Sequence, residues 1–328
     1  MTTITMNALE SLEVPRSSFS FDAKSFEIKV PASIANLGPG FDTLAVAVQL
    51  YLVLRVRKLA GHGELHFNFV DHALCGENRI ERAYRCMAGE SLGSLPSLSI
   101  EVSSEIPMRS GLGSSAAATV AGLRLYEAVT QPLPMETLLS AACALESHPD
   151  NAAASLLGGL TISCELPDGM VQATSSGWPE SLAFVVVTPK LALTTEASRS
   201  ALPQCVARGD VVFNLQRVAL LLHALRTEDF SLLKHAMRDR VHQPAREKIA
   251  QGLREALELE HRDLLGVCLS GSGPSIVGVA EQNHQEIGRL LGSVYEGLGI
   301  EYTVRVLHAH QKVDEEPIPM FRAGLLCG

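Results

Sequence analysis

The sequence predicts an α+β protein of two domains, and three observations lead to this prediction. The chain has 328 residues, about twice the roughly 150 residues of a typical domain. Hydrophobic residues make up 46% of it and charged residues 19%, which is enough apolar side chain for a substantial interior. Strand-like alternation and helical periodicity follow one another in both halves of the chain. We therefore expect two α+β layers with a cleft between them.

Breaks in this periodicity divide the chain into four parts. Residues 1–24 are rich in serine and threonine and predict a poorly ordered extension. A glycine- and serine-rich stretch places a domain boundary near residue 178. The predicted domains are therefore residues 25–178 and 179–310, and residues 311–328 form a C-terminal tail.

The element pattern of each half follows from its apolar spacing. We expect a short strand over residues 26–30 that ends at Pro31, because proline cannot donate to a β-ladder. Turn-forming residues 60–63 predict a hairpin between the strands expected over residues 44–58 and 64–70. Strands are predicted over residues 44–58, 64–70, 98–103, 160–164, 182–188, 264–269, 275–280 and 302–308. Helices are predicted over residues 78–88, 116–129, 135–146, 211–225, 230–240, 248–259 and 285–297.

Charge and cysteine usage exclude several classes of protein. The formal net charge of −9 repels nucleic acid and anionic lipid. No run of about 18 apolar residues predicts a membrane span. The seven cysteines are scattered and contain no C-x-x-C pair, which favours a reducing cytoplasm over a disulfide framework. We expect a cytoplasmic protein that binds neither nucleic acid nor membrane.

A glycine-rich loop runs directly into an alanine-rich helix over residues 106–118, I-P-M-R-S-G-L-G-S-S-A-A-A. The free N–H groups and the positive dipole end of such a helix bind phosphate readily. The spacing is neither a Walker A loop nor a G-x-G-x-x-G fingerprint, and a simple tight turn remains the alternative. The Ser115 hydroxyl is placed to contact a magnesium ion that bridges phosphates.

A polar cluster follows the helix predicted over residues 135–146. Glu146 is the candidate carboxylate for magnesium, with a solvated helix end as the alternative. His148, Asp150 and Asn151 stand beside it, and Asp150 or Asn151 could simply cap the next helix. Asp150 is the candidate local base.

Residues 31–42, P-A-S-I-A-N-L-G-P-G-F-D, are rich in turn formers. Asn36 and Asp42 could bond their own backbone there. Asp42 could equally bind the ammonium group of a substrate. The spacing alone leaves both interpretations open.

Three segments together, residues 31–42, 107–117 and 269–275, resemble the three motifs of the GHMP kinase superfamily. The first segment resembles the version found in the homoserine kinase family, and H-P-D-N over residues 148–151 resembles a fourth marker of that family. Mevalonate kinases carry a lysine in the first motif, and residues 34–36 offer none.

This resemblance implies a particular fold and reaction. The N-terminal, ATP-binding domain would resemble domain 2 of ribosomal protein S5, the C-terminal domain would be ferredoxin-like, and the active site would lie in the cleft between them. The reaction would be ATP-dependent phosphorylation of the L-homoserine hydroxyl to O-phospho-L-homoserine, in threonine biosynthesis. The expected partners are ATP with Mg²⁺ and L-homoserine, with a homodimer as the candidate assembly. The alternatives are a GHMP kinase for another alcohol and a catalytically silent relative that binds ligand.

The resemblance also implies site residues. Catalytic roles fall on Asn36 and Asp150, the metal contacts on Ser115 and Glu146, and the adenine side on Asn78. The residues implied around the ATP phosphates are Pro107, Arg109, Ser110, Gly111, Leu112, Gly113, Ser114, Ser115, Ala116 and Ala117. The residues implied around the substrate are Asn36, Asp42, His148, Asn151, Arg199, Arg246, Gly271, Ser272 and Gly273. Guanidinium groups such as those of Arg199 and Arg246 suit a carboxylate.

Overall fold

A computed structural model describes residues 25–71, 76–146, 148–191 and 193–311. The predicted extension over residues 1–24, and the predicted tail apart from residue 311, lie outside the described residues. Two β-sheets, each accompanied by helices, make up the described chain. Among its helices, none is both long and apolar enough to cross a bilayer.

The first sheet and its helices come from the N-terminal half. Its strand order is β3-β4-β2-β5-β6, with β1 paired to β2 beside this path. The strands are β1 (Ser25–Ala35), β2 (Leu44–His62), β3 (Leu65–Phe69), β4 (Pro96–Ser104), β5 (Leu160–Glu165) and β6 (Val171–Ser176). The helices are α1 (Arg79–Ala88), α2 (Ser114–Val129), α3 (Met135–Glu146) and α4 (Asp150–Leu157), with a 3-10 turn over Gly89–Ser94.

The second sheet and its helices come from the C-terminal half. Its order is β10-β7-β9-β8, and all its neighbouring pairs are antiparallel. The strands are β7 (Ala183–Pro189), β8 (Gly266–Leu269), β9 (Ile276–Ala280) and β10 (Tyr302–Leu307). The helices are α5 (Thr195–Ser200), α6 (Arg208–Thr227), α7 (Leu233–Ala236), α8 (Gln243–Arg246), α9 (Leu253–Leu257) and α10 (His284–Gly297), with a 3-10 turn over Phe230–Leu232.

Local sequence explains the helices that surround the site. Asn78 caps α1, because its side-chain oxygen accepts a hydrogen bond from the Glu81 N–H at 3.3 Å. Helix α2 packs closely against α1, since a Cβ atom at Gly122 would collide with the carbonyl oxygen of Ile80. The small residues of α2 therefore allow the two backbones to approach each other.

The strand predictions were wrong at two places in the first half. Strand β1 continues through Pro31, which lies opposite Tyr51 with a register shift directly after it. This is tolerated because β1 is an edge strand, and an edge proline forfeits no ladder bond. The predicted hairpin across residues 60–63 does not form, because β3 pairs in parallel with β4.

Elsewhere the expected elements are found with changed bounds. The helices predicted over residues 78–88, 116–129 and 135–146 are confirmed as α1, α2 and α3. The helices predicted over residues 230–240 and 248–259 were too long, because tight turns replace most of each one. Strand β6 and the short helices α5 and α8 were not predicted.

The two halves contact each other directly. One hydrophobic core cluster includes residues of both sheets, and the N–H of His310 bonds the carbonyl of Ala47 at 2.8 Å. The chain passes from the first sheet to the second between Ser176 and Ala183. The boundary near residue 178 falls in this interval and stays a prediction. Loops from both halves meet between the two sheets and line one cavity.

Candidate active site

A cavity of about 390 Å³ lies where the turn between β1 and β2, the loop before α2 and the turn between β8 and β9 meet. This is within the usual size range of small-molecule sites, roughly 300–1,000 Å³. The implied site residues that line it are Asn36, Asp42, Arg109, Ser110, Gly111, Gly113, Ser114, Ser115, Ala116, Glu146, His148, Asp150, Asn151, Arg199, Arg246, Gly271 and Ser272. Segments far apart in sequence thus supply a single cavity.

Five implied site residues do not line this cavity. They are Asn78, Pro107, Leu112, Ala117 and Gly273. Leu112 and Ala117 have no exposed surface and belong to the hydrophobic core, so their side chains face away from the cavity. The side chain of Asn78 caps α1.

Glycines shape the loop that precedes α2. Gly111 and Gly113 have φ angles of 80° and 72°, in the left-handed region that favours glycine. A Cβ atom on Gly113 would also collide with the hydroxyl of Ser33. Gly113 is the N-cap of α2, and no described side chain caps this helix end. The first N–H groups of α2 are therefore available to an anion beside the cavity.

The turn between β8 and β9 is bonded to this loop and to β1. The Ser270 hydroxyl donates to the carbonyl of Gly111 at 2.7 Å, and the N–H of Gly271 donates to the carbonyl of Ala35 at 3.2 Å. A Cβ atom on Gly111 would collide with the Ser270 carbonyl. Close backbone contact between the two halves therefore requires glycine at position 111.

Glu146 gathers three donors at the end of α3. Its carboxylate accepts hydrogen bonds from Ser115 Oγ and Thr119 Oγ1, each at 2.6 Å. The guanidinium of Arg79 forms an ion pair with it at 3.0 Å. The Glu146 side chain is only 4% exposed, which rules out a solvated helix end. Ser115 and Glu146, predicted separately, are in direct contact.

The cluster over residues 148–151 is organised by Asp150. Its Oδ1 atom accepts bonds from the Asn151 N–H at 2.7 Å and from His148 Nδ1 at 2.8 Å. Burial alone would lower the pKa of His148, but the hydrogen bond and charge of Asp150 outweigh it and raise that pKa above its usual value. Pro149 is the N-cap of α4 and no described side chain caps this helix end, so the capping interpretation of Asp150 and Asn151 is wrong; both residues instead line the cavity.

Asn36 connects the first segment with the third. It adopts a left-handed conformation with φ of 73°, which asparagine tolerates better than most residues. Its Nδ2 donates to the carbonyl of Gly271 at 3.1 Å, and its Oδ1 accepts from the N–H of Asp42 at 3.1 Å. The Asn36 side chain is therefore fixed at the wall of the cavity.

Two arginines of the C-terminal half line the cavity, and they differ in burial and in ion pairing. Arg199 forms a two-pronged ion pair with Asp42, with distances of 2.6 and 3.1 Å. Arg246 is 2% exposed, and its Nε has no hydrogen-bond partner among the described residues. Burial, followed by the charge of Arg199, lowers the pKa of Arg246 to about 10, so this side chain stays cationic at neutral pH. The cavity thus holds a buried cation with unused hydrogen-bonding capacity.

Sequence reasoning missed five residues that line the cavity: Phe41, Arg79, Leu193, Thr194 and Thr195. Arg79 directly follows the Asn78 cap, and no local pattern indicates that it faces Glu146, 67 positions away. Phe41 lies inside the first segment, but its side chain is apolar and so gives no local sign of a role in binding. Packing between elements, and not local spacing, brings these side chains to the site.

Comparison with known proteins agrees with this architecture. Residues 78–159 match the GHMP kinases N terminal domain, and residues 221–296 match the GHMP kinases C terminal domain. A homoserine kinase of Solibacter usitatus is 38% identical over 279 residues, which cover 82% of this chain and 90% of that protein. The crystal structure of homoserine kinase from Cytophaga hutchinsonii superimposes with a TM-score of 0.79 at 27% identity, covering 90% of this chain and 98% of that one. A mevalonate kinase of L. major in complex with R-mevalonate shares the fold, with a TM-score of 0.64 at 17% identity, covering 88% of this chain and 96% of that one.

The fold and the cavity together define an ATP-dependent small-molecule kinase of the GHMP class. The expected α+β fold of two GHMP kinase domains, with the active site in a cleft between them, is confirmed. The sequence identity to the homoserine kinases of Solibacter usitatus and Desulfitobacterium hafniense is 38% and 36%, over 90% and 88% of their lengths. The chain belongs to the homoserine kinase family.

Proposed function

We propose that this protein transfers the γ-phosphoryl group of ATP to the hydroxyl of L-homoserine. One observation carries the proposal: a single cavity combines an uncapped helix N-terminus with a buried, incompletely paired arginine and an Arg–Asp ion pair. The helix end suits phosphate groups. The charged side chains suit a small zwitterion that carries both a carboxylate and an ammonium group.

The phosphate side is built from the loop at residues 109–113 and the first turn of α2. Backbone N–H groups there can donate to phosphate oxygens without any lysine of the Walker type. Ser114 and Ser115 add hydroxyl groups in the same turn. The proposal therefore assigns the triphosphate to this helix end.

The donor set at Glu146 fits a magnesium ion. A buried carboxylate and the Ser115 hydroxyl are hard oxygen ligands, and magnesium bound with a nucleotide usually takes only one or two protein carboxylates. No group of three or more His, Cys, Asp or Glu side chains in the described ranges is arranged to hold a metal, so the nucleotide would supply the other ligands. When bound, the ion neutralises charge on the phosphates. Arg79 balances the Glu146 charge in the protein alone.

The substrate side combines the two arginines with Asp42. The guanidinium of Arg246 lines the cavity, where it can pair with a substrate carboxylate, and hydrogen bonds between charged groups contribute about 1.5–3 kcal/mol. The ion pair of Arg199 with Asp42 already places a cation beside an anion. A zwitterionic amino acid can bond both members, whereas a neutral alcohol would leave them paired with each other. This supports homoserine over uncharged alcohols.

Asn36 is proposed to orient the reacting hydroxyl, because its amide is fixed at the cavity wall by Gly271 and Asp42. Phosphoryl transfer depends mostly on positioning and charge stabilisation, so a strong base is not required. Asp150 is the candidate acceptor of the hydroxyl proton. If Asp150→Asn retained near wild-type turnover with an unchanged pH profile, this role would be excluded.

The test is a coupled assay of ADP release with magnesium and ATP, run in parallel with homoserine, mevalonate and galactose. We expect turnover with homoserine and background rates with the other two alcohols. Turnover with a different alcohol would indicate another GHMP kinase activity. ATP binding without turnover on any alcohol would indicate a silent relative, and either result would refute the proposal.

A further inference from the structure

His242 lies behind the wall of the cavity and has no part in the proposed phosphate, metal or substrate contacts. His242 is fully buried and is absent from the cavity lining. Its Nε2 is 2.7 Å from the carbonyl oxygen of Gly38, and its Nδ1 is 2.9 Å from Nη1 of Arg246. The imidazole therefore connects the first segment to the buried arginine of the C-terminal half.

The partners of His242 fix its tautomer. Arginine can only donate, so Nδ1 must be the acceptor, and a carbonyl can only accept, so Nε2 must carry the proton. Burial outweighs the nearby charge of Asp239 and lowers the pKa of His242, which is consistent with a neutral ring. Asp239 accepts the backbone N–H of His242 at 3.0 Å and anchors the start of this segment.

These contacts restrict the guanidinium of Arg246. Nη1 donates both to His242 and to the carbonyl of Gly271, each at 2.9 Å. Because a guanidinium is planar and rigid, two bonds at one nitrogen fix the orientation of the whole group. Arg246 lines the cavity in this fixed orientation, and its buried Nε has no partner among the described residues.

An aromatic ring completes the arrangement. Phe41 stacks on the His242 ring with a centroid distance of 5.2 Å and an interplanar angle of 27°. The guanidinium carbon of Arg246 lies 5.4 Å from the centre of the Phe41 ring. Since Phe41 lines the cavity, the position of the imidazole affects both the arginine and the wall beside it.

We propose that His242 is a positioning residue, which holds the guanidinium of Arg246 in place for the carboxylate of an amino-acid substrate. This inference rests on the proposed function, because it assigns the carboxylate to Arg246. A neutral imidazole is suited to the task, since it accepts from the arginine without neutralising its charge. A carboxylate at this position would pair with the guanidinium and compete with the substrate.

The principal test compares His242→Phe with wild type on two alcohols. The phenyl ring keeps the stacking on Phe41 but offers Arg246 no acceptor. We expect the KM for homoserine to rise about 10- to 100-fold, as for loss of a bond that positions a charged group, with the KM for ATP within about twofold. The kcat/KM for 3-amino-1-propanol, which lacks the carboxylate, should stay within about twofold of wild type. His261→Phe, at a histidine that does not line the cavity, is the matched control.

A second pair of variants keeps the proposal testable if His242→Phe does not fold. Asparagine places its amide oxygen near the position of Nδ1 and can accept from Arg246, whereas the longer glutamine carries its amide group near the position of Nε2. We expect His242→Asn to stay within about fivefold of the wild-type homoserine KM and His242→Gln to raise it about tenfold or more. Equal effects of the two amides would overturn the assignment.

Additivity gives the final criterion. In an Arg246→Met background, His242→Phe should cause no further rise in the homoserine KM, because the histidine acts through the arginine. Additive effects, or an equal loss with 3-amino-1-propanol, would show a general packing role and overturn the inference. If wild type did not phosphorylate homoserine at all, the proposed function would fail instead, so the two failures are distinguishable.

Discussion

The ion pair between Asp42 and Arg199 leads to a quantitative prediction about substrate choice. Asp42→Asn removes the carboxylate while keeping a side chain that tolerates the left-handed backbone of this position, where φ is 53°. The variant loses the proposed partner of the substrate ammonium and releases Arg199 from its pair. It should therefore discriminate poorly between homoserine and 4-hydroxybutanoate, the same hydroxy acid without the ammonium group.

The size of the effect follows from the exposure of the pair. A hydrogen bond between charged groups contributes about 1.5–3 kcal/mol. In the free protein, however, the ammonium replaces an ion pair whose side chains are 32% and 36% exposed, and exposed pairs contribute about 0–1 kcal/mol. The net loss is about 1–2 kcal/mol, which corresponds to about a 5- to 30-fold change.

The assay is kcat/KM for both alcohols at saturating ATP and magnesium. We expect the homoserine value to fall about 5- to 30-fold and the 4-hydroxybutanoate value to stay level or rise slightly. Glu301→Gln is the matched control, because Glu301 pairs with Lys190 at an exposed position outside the cavity. An equal decrease for both alcohols would indicate general damage and refute the reasoning, as would an unchanged ratio.

Three further predictions concern the metal side, the histidine cluster and the loop. Glu146→Gln should lower kcat about 10-fold or more and raise the magnesium concentration needed for half-maximal rate, which a metal titration measures; unchanged dependence on magnesium would contradict the metal role. Asp150→Asn should lower the pKa of His148 seen by NMR titration, because it removes the group that raises this pKa and leaves burial to lower it. Gly111→Ala should lower the free energy of unfolding by about 1–3 kcal/mol in a denaturant titration, since its Cβ atom would collide with backbone, whereas Gly209→Ala, with open space around it, should not be destabilised.

The local features of the site could be predicted from the sequence because they depend on residues near one another in the chain. The glycines at 111 and 113 and the alanines after them predict a loop entering a helix, and α2 begins there. The apolar spacing predicts α1 and α3 within a residue of their observed bounds. The adjacency of Ser115 and Glu146 was anticipated only as a shared role, and the structure shows the hydrogen bond between them.

Features that depend on pairing between distant segments could not be predicted. The alternation of residues 64–70 indicates a strand but does not reveal its neighbour, and β3 pairs with β4 instead of forming the expected hairpin. Proline usually ends a strand because it has no N–H to donate to the β-ladder. Pro31 lies in the edge strand β1, where its missing N–H costs no hydrogen bond to a neighbouring strand. In both cases the position of a strand within the sheet decides the outcome.

The sequence by itself determined the class of fold, the loop that enters α2 and most of the residues that line the cavity. Only the tertiary structure decided how those residues are paired: Asp42 with Arg199, Glu146 with Arg79, and His242 with Arg246. The physical reason is the distance along the chain between the residues that decide each feature. Helix starts and turns follow from backbone preferences over a few residues, whereas Asn36 and Gly271 are 235 positions apart and meet because the two sheets pack together.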